Sequence, residues 1–85
     1  MAQSMKKIPT FDSQTDDYDV WKKDIDIWTR LTDLDKKKQA LAVHLSLNGR
    51  ARQATSELEV AKLEFDDGIK NLIERLDSFF YRIKI

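Results

Sequence analysis

The sequence predicts an all-α fold: a small four-helix orthogonal bundle with an extended N-terminal segment. Three observations carry that prediction. From Asp66 to Ile83 the apolar residues Ile69, Leu72, Ile73, Leu76, Phe80 and Ile83 fall at the spacing of one helix face. Earlier in the chain, Trp21, Ile25 and Trp28 show the same period. Two Gly and one Pro in 85 residues leave too little turn chemistry for a loop-rich or all-β fold.

Residues 1–7 are polar and basic and read as a flexible tail, with 8–85 forming one helical lobe. Pro9 disfavours helix at Ile8, so Ile8-Pro9-Thr10-Phe11 reads as extended chain. Ile8 and Phe11 either tuck against the core or line a groove. Asp16 offers an N-cap with Asp19 three residues on, opening a helix over about 17–31. Its buried stripe is Trp21, Ile25, Trp28 and Leu31 or Thr32, widened by Val20 and Ile27. Trp28 either anchors the core or rims a binding groove, where tryptophan gives large contact area.

A second helix is predicted over about 35–47, with Leu41 and Leu45 in the core. Lys36, Lys37 and Lys38 open it, at the end where the helix dipole disfavours cations. They are either neutral surface or a retained contact point. His44 stands on or beside the apolar face with no ligand-spaced partner, which favours a buried, hydrogen-bonded histidine over a metal or catalytic one. Gly49 suits the left-handed conformation of a C-cap. A third helix follows over about 50–58, with Ala51, Ala54, Thr55 and Leu58 inward. Residues 59–65 read as a linker or one extra turn, carrying Val60, Leu63 and Phe65 as satellite core. The last helix, about 66–83, is capped by Asp66 or Asp67 and buries Ile69, Leu72, Ile73 and Leu76.

Composition excludes several functions. The chain has no Cys, so disulfides and thiolate metal sites are ruled out and an intracellular, cytoplasmic setting is favoured. One His, no glycine-rich phosphate loop and no Ser/His/acid set leave no motif for catalysis, so no enzyme activity and no cofactor are expected. No apolar run approaches the ~20 residues of a membrane span, and the N-terminus lacks the apolar region of a signal peptide. Fifteen basic residues balance fifteen acidic ones, which disfavours bulk RNA binding. The charges are nevertheless sorted. Residues 11–20 hold four acids and no base, 34–53 hold five bases against Asp35, and 54–68 hold five acids against Lys62. Such blocks serve as caps and solvated faces, or steer self-association between copies.

A resemblance emerges from the motif order. Phe11-Asp12-Ser13, then Tyr18, Trp21 and Trp28, then Leu31-Thr32-Asp33-Leu34, then Leu45-Ser46-Leu47-Asn48-Gly49-Arg50-Ala51 are followed by Leu72-Ile73-Glu74-Arg75-Leu76-Asp77-Ser78-Phe79-Phe80. This series resembles the Gag capsid N-terminal lobe of gypsy-type long-terminal-repeat retrotransposons and their domesticated Arc-like relatives. It covers roughly residues 8–80. Ser13 stands where the family usually has Gly, and Asp35 where it often has Pro. The resemblance implies a non-enzymatic assembly module whose partner is itself or a full-length Gag. The alternatives it implies are an adaptor holding short peptides beside Ile8, Phe11 and Trp28, or a truncated Gag that interferes with assembly. Lys36, Lys37 and Lys38 are one candidate self-association set. The apolar end Phe79, Phe80, Tyr81 and Ile83 is the other, unless it simply packs the last turn.

Overall fold

The computed structural model describes residues 7–81. Ile83 and most of the N-terminal tail lie outside that range. Among the described residues there are five helices and no strand: α1 (Tyr18–Leu31), α2 (Lys36–Ser46), α3 (Gly49–Thr55), α4 (Val60–Leu63) and α5 (Gly68–Phe80). The all-α expectation holds, but the count is five rather than four, because the stretch read as a linker or extra turn closes a helix of its own. None of these helices is long and apolar enough to cross a membrane.

Each boundary has a local cause. Asp17, rather than Asp16, caps α1, its carboxylate accepting from the Asp19 and Val20 N–H groups. Asp16 is occupied elsewhere: its carboxylate accepts the Asp12 N–H at 2.9 Å and closes the preceding turn. Asp35 caps α2 by accepting from the Lys37 N–H at 3.1 Å. Gly49 takes the left-handed φ of 58°, but it opens α3, and Leu47 is the C-cap of α2. Helix α3 ends at Thr55 rather than 58. The Thr55 and Ser56 hydroxyls both bond back to the Arg52 carbonyl, and the Arg75 Nε donates to the Ala54 carbonyl at 3.0 Å. Likewise Asn71 Nδ2 donates to the Lys62 carbonyl at 2.9 Å, beside the end of α4. Side chains of α5 thus reach carbonyls at the ends of two short helices.

Helix α5 begins at Gly68, two residues later than the acidic pair suggested. Asp67 holds the N-cap position without a side-chain capping bond. From there α5 contacts α2, α3 and α4. The core joins Phe11 and the α1 residues Trp21, Ile25 and Trp28 to Ala40, Val43, Leu47, Ala51, Ala54, Leu63, Leu72 and Leu76. Leu41, Ile69 and Ile73 are half-buried against it. Leu45, expected inside, is 67% exposed. The buried face of α2 is instead Gln39, Ala40 and Val43, with the small Ala40 admitting the start of α5 at Gly68. Val60 and Phe65 are also exposed, leaving Leu63 as the buried residue of that segment.

Candidate protein-interaction surface

Two apolar faces run along α1, and among the described residues only one is covered. Trp21, Ile25 and Trp28 are buried. Val20, Ile27 and Leu31, spaced seven and four residues apart, form a second stripe that is 58%, 44% and 49% exposed. The sequence reading placed Val20 and Ile27 inside, with Leu31 or Thr32 on the buried stripe; Thr32 is half-buried. Val20, Ile27 and Leu31 stand outside because the aromatic face next to them already fills the contact with the core.

The extended segment over residues 7–11 borders that stripe. Its hold on α1 is specific: the Trp21 indole N–H donates to the Pro9 carbonyl at 3.2 Å. Phe11 is 2% exposed, its ring centroid 5.3 Å from Trp21, 5.8 Å from Tyr18 and 5.5 Å from Phe80. Phe11 is therefore a core plug and not a groove wall. Ile8 is half-buried against the same core. Trp28, though buried, contributes to a shallow groove of about 200 Å³ shared with Lys7, Pro9, Asp24, Ile27 and Leu31. A second hollow of about 240 Å³, lined by Thr10, Asp16, Asp17, Val20, Trp21 and Asp24, continues along the same side of the helix. Of the three residues assigned to a peptide groove, the geometry brings Trp28 to one, while Phe11 packs among Tyr18, Trp21 and Phe80 and Ile8 is half-buried.

The aromatic end is folded inward. Phe80 lies against Tyr18 at 4.9 Å between centroids, and Phe79 against Phe80 at 5.0 Å. The Tyr81 hydroxyl donates to the Asp19 carboxylate. Beside it, the Tyr18 hydroxyl and the Lys22 ammonium both donate to Asp77 Oδ1, at 2.8 and 3.0 Å. Burial and the bond to Asp77 push the Tyr18 phenol well above its ordinary range. Burial works against the Lys22 charge, but Asp77 and the Tyr81 hydroxyl hold its proton and raise it overall. This cluster locks the end of α5 to the start of α1, so the rings offered as a contact surface are largely used within the lobe.

The basic cluster remains outside. Lys36, Lys37 and Lys38 are exposed, with Lys38 Nζ 3.3 Å from Glu64 Oε2. His44 is half-buried, its Nδ1 2.7 Å from the Thr55 hydroxyl. Burial, then the Arg52 charge, lowers its pKa. Among the described residues no three His, Cys, Asp or Glu side chains gather where they could hold a metal ion. Two other hollows exist. One of about 560 Å³ has five polar side chains, Gly49 and Phe80 in its walls, and one of about 290 Å³ lies between α1 and α5 beside Ile69 and Ile73. Neither exposes a run of apolar side chains comparable to the α1 stripe. Comparison of the chain with protein-family models, with curated proteins and with solved structures finds no match.

Proposed function

We propose that this chain is a protein-interaction lobe of the Gag capsid type, a non-enzymatic module whose partner is another copy of itself. One observation carries the reading: α1 keeps a second apolar stripe, Val20, Ile27 and Leu31, exposed beside an extended segment that the Trp21 indole N–H holds at the Pro9 carbonyl. Exposed apolar side chains aligned on one helix face gain free energy when another surface covers them. The order of motifs resembling the capsid lobe, from Phe11 through Trp28 and Gly49 to Phe80, supports the same assignment.

Sedimentation of the purified chain over a wide concentration range tests it. A monomer–dimer equilibrium is the expected result, and a strict monomer at high concentration overturns it. A second reading is favoured by the shallow groove between Lys7, Pro9 and the α1 side chains Ile27, Trp28 and Leu31. There a short extended peptide would lie alongside the N-terminal segment, as an adaptor. Its signature is a chain that stays monomeric and binds peptide one to one.

A further inference from the structure

We propose that the outer face of α1 packs antiparallel against the same face of a second copy, about a two-fold axis near residues 25–26. The inference rests on the self-association reading and assigns it a surface and an orientation.

The occupant follows from charge at the two ends of the stripe. Asp16, Asp17 and Asp19 lie at the N-terminal end of α1. Arg30 lies in its last turn, paired with Asp26 at 3.4 Å, and the connector 32–35, which carries Asp33 and Asp35, is too short to take Lys36 and Lys37 far from that end. The stripe is therefore acidic at one end, apolar but for Asp24 in the middle, and more basic at the other, where Arg30, Lys36 and Lys37 outnumber Asp33 and Asp35. Two copies laid parallel would set acid on acid and base on base. Laid antiparallel, they set each acidic end against the other's basic end, and both contacts form at once because a two-fold interface is self-complementary. In this register Val20 lies opposite the second copy's Leu31, with Ile27 near the axis. Asp24, four residues from Val20 and three from Ile27, lies along the edge of the stripe nearer the extended segment and is exposed in the single lobe. One helix face is a small contact, so the dimer belongs to the weak class, with a dissociation constant roughly in the high micromolar range.

The chain has no cysteine, so single thiols can be placed cleanly. Val20→Cys and Leu31→Cys are treated with a short bis-maleimide, each alone and as an equimolar mixture. The mixture is expected to give several-fold more cross-linked dimer than either variant alone. Val20→Cys alone cross-linking as well as the mixture overturns the antiparallel arrangement. Sedimentation of the parent chain and of Ile27→Asp separates the two levels of the argument. If the parent dimerises and Ile27→Asp dimerises equally well, the surface is wrong and self-association stands. If the parent is monomeric throughout, self-association itself fails. A monomer that instead binds peptide leaves the stripe to the adaptor reading and overturns the dimer.

Discussion

A Cβ on Gly68 would stand 2.0 Å from the Leu63 carbonyl oxygen and 3.0 Å from the Ala40 Cβ. The first of these neighbours is backbone and cannot swing aside, so α5 starts at this residue only because it has no side chain. Gly68→Ala is expected to cost about 3 kcal/mol through forced displacement of α4 from α5, read as a drop in melting temperature. His44 gives the pH response. Its folded-state pKa lies below the ordinary 6.5, so the unfolded chain holds the proton more tightly. The contribution of His44 is therefore fully present above that value and is lost as pH falls through the folded one. Melts at about pH 7.5 and about pH 5.5 should show lower stability at the acid end, and His44→Gln should remove part of that difference. The histidine was legible as hydrogen-bonded from its lack of ligand-spaced neighbours. Its partner Thr55, eleven residues away on α3, was not.

Helix α1 shows what periodicity reveals and what it conceals. Its aromatic stripe is evident from spacing, but Val20, Ile27 and Leu31 share that periodicity on the adjoining face. Which face gets covered depends on where Phe11 and the end of α5 come to rest, and that is a tertiary fact. The distinction predicts a sharp contrast. Trp21→Ala and Phe11→Ala should each cost about 3–5 kcal/mol. Val20→Glu and Leu45→Glu should change stability by less than about 0.5 kcal/mol. Thermal melts of the four variants decide it, and a large loss at Val20 would put the stripe inside. Phe11→Ala is accordingly a test of the core rather than of a peptide groove. In α2 Leu45 was expected inside and stands in water, whereas Leu41 is half-buried against the core. Proximity to α5 is what selects Ala40 and Val43, since a bulkier pair would hold the two helices apart. The short helices α3 and α4 were hard to delimit because their ends depend on Arg75 and Asn71, which reach back from a helix formed later in the chain.

At the scale of the whole molecule, zero net charge hides blocks of opposite sign along the sequence, which in the proposed dimer set Asp16, Asp17 and Asp19 against the other copy's Lys36 and Lys37. Apolar burial and charge pairing answer salt in opposite directions, which lets one experiment weigh them. Raising ionic strength from about 0.1 to about 1 M shortens the screening length from roughly 10 to roughly 3 Å and weakens contacts between exposed charges. The same change leaves apolar contact intact or strengthens it, depending on the anion. If the acidic and basic ends orient the dimer, the association constant should fall several-fold with added sodium chloride. The double variant Lys36→Glu, Lys37→Glu should associate weakly at low salt and lose most of that salt dependence. Lys38 is left unchanged because its pairing with Glu64 ties α2 to the residue after α4. An association constant that holds steady in salt, with the double variant matching the parent, would assign the contact to the apolar stripe alone and leave the charge blocks as solvated surface.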